Sequence, residues 1–255
     1  MKAVHRSDVG RVRTVNEDRA YSAILSNGYT LAVVADGMGG HQAGDIASRL
    51  AVESIVQELT VLPEQLSAED RRNAVQQAIL RANDTIFHIA SQDEKYNQMG
   101  TTIVVALFAD HEVVLGHIGD SRAYLVNRSG LQQITDDHSL VRELVKSGQI
   151  TAEEAERHPR RNVLTRALGT DKDVQVDMNE ATLEADDILL LCSDGLTNML
   201  SANTIWSTII DPSLPLEAIA DRLVGQAIDA GGDDNISVIL VQSTSADTEK
   251  KGWNS

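Results

Sequence analysis

The chain has 255 residues, 42% of them hydrophobic but only 3% aromatic, so a sizeable core must be filled by Val, Ile, Leu and Ala. A formal net charge of -16 argues against nucleic acid or an anionic membrane surface as partner, because both require a basic face. The single cysteine, Cys192, excludes an intrachain disulfide and reads as a buried thiol, and no apolar stretch approaches the ~20 residues that span a bilayer; the expectation is a soluble, cytoplasmic protein.

In chain order, residues 3–35 read as three short strands with a turn at Ser26-Asn27-Gly28. After Asp36 comes a glycine-rich bend, Gly37-Met-Gly-Gly-His41, in which the glycines let the backbone turn tightly. A helix is predicted over 42–59, with Ile46, Leu50, Ile55, Val56 and Leu59 near helical spacing, and Leu62-Pro63 stops it. Ser67 followed by Glu69 and Asp70 marks the start of a second helix, which runs to about 91 and carries Val75, Ile79, Ala82, Ile86 and Ile89 on one face. A polar loop to Gly100 precedes strands at 101–108, 112–118, 123–126 and 131–134. Short helices are predicted over 140–147 and 152–157, the latter opened by the capping box Thr151-Ala-Glu-Glu154. Strands over 174–181 and 188–192, helices over 202–210 and 216–230, and a strand over 236–242 complete the pattern; residues 243–255 read as a polar, disordered tail. Strands and helices come in blocks rather than in alternation, which favours an antiparallel α+β architecture over a doubly wound parallel sheet.

Acidic residues punctuate the apolar runs. Leu31-Ala-Val-Val-Ala35 ends in Asp36-Gly37, and Val113 to Ile118 ends in Gly119-Asp120-Ser-Arg122. Ile188-Leu-Leu-Leu-Cys192 ends in Ser193-Asp194-Gly195, and Gly231-Gly-Asp-Asp-Asn235 leads into the final strand. A further cluster, Asn16-Glu17-Asp18, lies near the N-terminus. Taken singly, each Asp-Gly pair reads equally well as a hairpin turn. Taken together, carboxylates at several strand ends can share one space, where they repel one another unless a cation sits among them. Oxygen donors of this kind favour magnesium, manganese or calcium over zinc or copper.

The ordered set Arg13-Thr-Val-Asn-Glu-Asp18, Val34-Ala-Asp-Gly-Met-Gly-Gly-His41, Met99-Gly-Thr-Thr102, Gly119-Asp-Ser-Arg122, Ser193-Asp-Gly195 and Asp233-Asp-Asn235 resembles the metal-dependent protein Ser/Thr phosphatases of the PPM (PP2C-like) family, in their compact bacterial form. The resemblance implies one domain over 1–242, built as a four-layer αββα sandwich of two antiparallel sheets flanked by helices, with a mobile flap at about 139–170. It implies two Mn²⁺ or Mg²⁺ ions, with a third, weaker one. Asp36 would bridge the two ions, Asp194 and Asp234 would ligate one, and the Gly37 carbonyl the other. Asp18 would bind through water, with Glu17 and Asn235 behind the ligands, while Asp120 and Asp194 would hold the third ion and Arg13 would grip the phosphate. Its substrates would be phosphorylated proteins, including a bacterial Ser/Thr kinase and that kinase's targets; apart from the resemblance, no dimerisation stripe is evident in the sequence, and a monomer is expected.

The chemistry is coherent on its own terms. Hydroxide attacks a phosphomonoester dianion slowly because the charges repel; two cations about 4 Å apart screen that repulsion and acidify a bridging water. Arg13 offers a planar fork to two phosphate oxygens. No C-x5-R loop follows Cys192, and Gln42 stands where a G-x-G-x-x-G motif begun at Gly37 needs its third glycine, so neither a cysteine phosphatase nor a dinucleotide site is supported. Met38 stands where many eukaryotic relatives carry a histidine as general acid. His41, three residues on, is a candidate substitute; the alternative is a polar surface residue, with water protonating the leaving group. His138 could hold the turn between a strand and a helix. Arg157, His158, Arg160, Arg161 and Arg166 form a basic patch that either steers and binds substrate, with Arg161 foremost, or pairs with Glu153, Glu154 and Glu156. Two rivals stand beside a protein phosphatase: a phosphatase of small phosphoesters, and a module that captures phosphoproteins without cleaving them.

Overall fold

The structure is a computed structural model and describes residues 1–39, 43–96 and 98–243. Its strands are β1 (Lys2–Asp8), β2 (Asp18–Ile24), β3 (Thr30–Met38), β4 (Gly100–Thr101), β5 (Ile103–Ala109), β6 (Glu112–Ile118), β7 (Arg122–Asn127), β8 (Gly130–Gln133), β9 (Asp177–Thr182), β10 (Ile188–Cys192) and β11 (Ile236–Gln242). Its α-helices are α1 (Ala43–Thr60), α2 (Ala68–Gln92), α3 (Leu140–Lys146), α4 (Ala152–Glu156), α5 (Asp194–Thr197), α6 (Ala202–Ile209) and α7 (Leu216–Asp229). One sheet runs β1-β11-β10-β7-β8; the other runs β2-β3-β5-β6-β9, with β4 added beside β3, and every pairing is antiparallel.

The strands are continuously apolar because both faces of each sheet are covered. In β3, Leu31, Val33 and Ala35 face α1 and α2, while Ala32 and Val34 join the layer between the sheets. In β10, Ile188, Leu190 and Cys192 meet α6 and α7, whereas Leu189 and Leu191 point to the opposite sheet. Two helix–sheet cores and one sheet–sheet core result, which is the four-layer αββα sandwich that the resemblance implies, antiparallel as the block pattern favours. Full burial of each large aliphatic side chain is worth about 1.5–3 kcal/mol.

Ser67 caps α2 by accepting the Asp70 N–H, and Thr151 and Glu154 form the expected capping box. The inward stripe of α1 keeps the expected Ile55 and Leu59 but differs from expectation in its first half. It consists of Ala43, Gly44, Ala47, Ser48, Ala51, Ile55 and Leu59, while Ile46, Leu50 and Val56 are only partly buried along its edges. Small residues let this helix lie close to β3, and size outranked hydrophobicity in choosing the face. The strand expected over 174–181 begins at Asp177, and α5, which spans only four residues, was not expected. The segment expected to form a flap holds α3 and α4 and returns to the body through bridges Ser139 to Leu164 and Thr101 to Leu168. Of the tail expected to be disordered, residues 244–255 lie outside the described residues.

Candidate active site

The expected aspartates converge at one end of the two sheets. Asp18 and Asp36 are directly opposed across β2 and β3. Like charges so placed destabilise a pair of strands. The Asp36 backbone is held from both sides by the Met99-Gly-Thr-Thr102 segment. Its N–H donates to Thr102 Oγ1 at 3.0 Å, and its carbonyl accepts from the Thr102 N–H and the Thr101 hydroxyl, each at 2.9 Å. Gly37 follows, and a Cβ there would run into the carbonyl of Gly44 at the start of α1. The two glycines thus permit the helix to pack against the end of β3.

Asp18 is only 1% exposed. Its Oδ2 accepts from Ser193 Oγ at 2.7 Å, and Ser193 Oγ in turn accepts the Ser237 N–H at 2.9 Å. Its Oδ1 is buried and has no hydrogen-bond partner. Asp194 opens α5; Asn198 Nδ2 donates to its Oδ2 at 3.0 Å, and its Oδ1 is likewise buried without a partner. Asp234 accepts from Arg13 Nη2 at 2.8 Å. Asn235 ties the N-terminal loop to this corner, accepting the Glu17 N–H at 2.8 Å and donating to the Val9 and Val15 carbonyls at 2.9 and 3.0 Å. None of these aspartates sits in a hairpin turn: Asp36 lies within β3 and Asp194 begins a helix.

Burial pushes the Asp18 carboxyl up to about 7, with repulsion from Asp194 and Asp234 adding to it and the hydrogen bond from Ser193 opposing it. Asp120 is also pushed up to about 7, by burial and then by Asp194 and Asp137. Burial raises Asp36 well above the carboxylate range, with Asp18, Asp194, Asp120 and Asp234 all contributing repulsion. Asp194 is raised by burial and by Asp234. Carboxylates so gathered repel one another, and a bound cation would offset that repulsion.

A pocket of about 210 Å³ is lined by Arg13, Glu17, Asp36, Gly37, Asp120, Asp194, Asp234 and Asn235, together with Asn162 and Leu164 from the segment expected to form a flap. Asp18 lies beneath it rather than in its wall. A groove of about 620 Å³ adjoins the pocket through Asp120, Asn162 and Asp194 and is lined by Arg142, Arg157 and Arg161. Arg161 is therefore placed beside the aspartate pocket, not within it. Among the described residues, no ion pair joins Arg157, Arg160 or Arg161 to Glu153, Glu154 or Glu156; Arg166 pairs with Asp177 at 2.7 Å instead, and Glu154 serves the capping box. His41 lies outside the described residues. The contributions of Ser193, Thr102, Asn162 and Asn198 were not expected; each is a small polar residue whose role shows only in its contacts.

An all-oxygen donor set fits a hard divalent cation. Among the described residues, the only His or acidic trio with ligand atoms mutually within 4.8 Å is His117, His138 and Asp177. The aspartates are more widely spread, which suits ions that retain water in their coordination shells.

A family model described as protein phosphatase 2C matches residues 10–224. The serine/threonine phosphatase stp of Listeria monocytogenes serotype 4b is 41% identical over 242 residues, which is 95% of this chain and 96% of that one. The crystal structure of the serine/threonine phosphatase Stp1 from Staphylococcus aureus superposes with a TM-score of 0.89 at 37% identity, covering 94% of this chain and 93% of that one. The catalytic domain of the serine/threonine protein phosphatase PstP in complex with 2 manganese ions superposes with a TM-score of 0.81 at 34% identity, covering 94% and 96%. The aspartate-lined pocket at the end of an αββα sandwich and these matches agree: the chain belongs to the protein phosphatase 2C family and is a protein phosphatase.

Proposed function

We propose that the chain hydrolyses phosphoserine and phosphothreonine in proteins with Mn²⁺ or Mg²⁺ held by Asp36, Asp194 and Asp234, by the Gly37 carbonyl, and by Asp18 through water. Asp120 and Asp194 would share a third, weaker ion. The observation that carries this reading is the pair of buried, unpartnered oxygens, Asp18 Oδ1 and Asp194 Oδ1, in a cluster where burial and mutual repulsion raise the carboxyls of Asp18, Asp36, Asp120 and Asp194. The manganese ions of the PstP relative support the choice of cation. When bound, the ions offset the negative charge of the phosphate and supply an activated water.

The chain's own residues then have defined tasks. Arg13 spends one guanidinium nitrogen on Asp234 and has further donors for phosphate oxygens. Ser193, Asn198 and Thr102 hold Asp18, Asp194 and Asp36 in their orientations. Arg161, in the adjoining groove, would contact the protein part of the substrate, and His41 is the candidate proton donor to the leaving group. The pairing of β1 with β11 joins the two ends of 1–242, in support of one catalytic domain. We read the natural substrates as phosphoproteins including a Ser/Thr kinase, and the protein as a cytoplasmic monomer; among the described residues no helix is long and apolar enough to cross a membrane.

The test is hydrolysis of a phosphothreonine peptide and of a small phosphoester, each with EDTA, Mg²⁺, Mn²⁺ or Ca²⁺. Peptide turnover that requires Mn²⁺ or Mg²⁺ and stops in EDTA is expected. Turnover of the small ester alone would favour the small-substrate rival, and metal binding with no turnover of either would favour capture without cleavage.

A further inference from the structure

Beside the aspartate pocket lie two buried histidines that none of the chemistry above employs. His117 on β6 and His138, in the loop between β8 and α3, are 1% and 3% exposed, and their rings stack with centroids 4.7 Å apart and planes 20° apart. His138 is joined to Gly119 by a reciprocal pair of hydrogen bonds. The Gly119 N–H donates to His138 Nδ1 at 3.0 Å, and the His138 N–H donates to the Gly119 carbonyl at 2.9 Å. The His138 carbonyl also accepts the Thr165 N–H at 2.9 Å, so one residue grips both the turn that carries Asp120 and the returning end of the flap segment.

The ring chemistry follows from these contacts. A neutral imidazole that accepts at Nδ1 carries its proton on Nε2. That Nε2 stands 3.2 Å from Asp177 Oδ2, an electrostatic contact rather than a well-aligned hydrogen bond. Arg166 holds the other oxygen of Asp177 at 2.7 Å. His117 Nε2 lies 3.0 Å from the Asp136 carbonyl, an acceptor that calls for a proton there. His117, His138 and Asp177 are close enough together to chelate a metal. The tautomer opposes it, because His138 Nε2 has no lone pair to give while Nδ1 is engaged by Gly119.

We propose that His138 is a positioning residue for Asp120: by fixing both the N–H and the carbonyl of Gly119 it aims the following carboxylate toward Asp194. Gly119 needs such a hold. Its φ of +107° is open to glycine rather than to other residues, and a Cβ there would meet Thr102 Cβ at 2.6 Å, in the residue that secures Asp36. The inference rests on the cation reading of Asp120 and Asp194.

The experiment counts bound Mn²⁺ by the electron paramagnetic resonance of the free ion, which needs no turnover, in wild type, Asp36→Asn, His138→Asn and His138→Gln. The Asn side chain sets an acceptor near the place of Nδ1 and keeps the Gly119 contact; Gln reaches toward Asp177 and loses it. The weakest Mn²⁺ site is expected to lose about 10- to 100-fold in affinity in His138→Gln and to stay within about threefold of wild type in His138→Asn. Phosphopeptide kinetics should show the same rescue. In metal-free protein, a ¹⁵N–¹⁵N coupling across the hydrogen bond from Gly119 to His138 Nδ1 is expected, and its absence would overturn the proposal even if both variants misfold. Loss of ions in Asp36→Asn with unchanged binding in His138→Gln would overturn this inference alone. A wild type that binds no Mn²⁺ would overturn the cation reading and this inference with it.

Discussion

Ser193 shows how much a single hydroxyl can carry. It donates to Asp18 and accepts from the Ser237 N–H, and all three groups are buried. Ser193→Ala leaves a backbone N–H and a carboxylate oxygen without partners, so a loss of about 1–3 kcal/mol is expected in urea unfolding of the metal-free protein. An unchanged midpoint would show that water replaces the hydroxyl at no cost. Arg13 acts differently, from an exposed position in the pocket wall. A charge-assisted hydrogen bond is worth about 1.5–3 kcal/mol, so Arg13→Ala is expected to lower kcat/KM by about 10- to 100-fold in steady-state kinetics with a phosphothreonine peptide. The aspartates were legible in the sequence because a charge that ends an apolar run is conspicuous. Ser193, Thr102 and Asn198 were not, since a hydroxyl or amide bound to a neighbour is written in sequence like any other.

At the scale of elements, α1 meets the aspartate-bearing end of β3 through Gly37 and Gly44, and its buried stripe continues through Ala47 and Ala51. The close approach leaves no room for larger groups. Ala47→Leu is expected to cost about 1–3 kcal/mol by overpacking, read as a lower thermal midpoint, whereas Leu50→Ala on the partly buried edge should cost less than a fully buried Leu→Ala change. A tolerated Ala47→Leu together with a Leu50→Ala cost equal to that of a fully buried leucine would mean that Leu50, not Ala47, faces the sheet. Apolar periodicity found Ile55 and Leu59 of the inward stripe of α1 but missed Ala47, Ser48 and Ala51, because it weighs large side chains, while the distance from helix to sheet selects small ones. The strands β3, β5, β10 and β11 were legible because burial on both faces makes them continuously apolar. The helix α5 was not, for four residues contain about one turn and no period.

For the whole molecule, the acidic cluster ties stability to pH and to metal. Asp18 and Asp120 titrate near 7 in the fold against an ordinary value of 3.8, so between these values unfolding releases protons. Without cations, stability conferred at low pH is therefore expected to fall as pH rises from about 4 through 7 and then to level off, as thermal melts in EDTA can follow. Mn²⁺ at about 100 times its dissociation constant should restore about 2.7 kcal/mol at pH 8, because it binds the folded state. A metal-free protein more stable at pH 8 than at pH 5.5 would contradict the gathering of these carboxyls. The architecture and the aspartate cluster follow from one fact, that two antiparallel sheets bring the ends of β2, β3, β10 and β11 together and leave an aspartate at or beside each. The most direct measurement is anomalous diffraction at the manganese edge from crystals soaked in Mn²⁺. Two strong peaks are expected beside Asp36, one flanked by Asp194 and Asp234 and the other by the Gly37 carbonyl. No peak there at saturating Mn²⁺, or density only between His117, His138 and Asp177, would contradict the proposed centre.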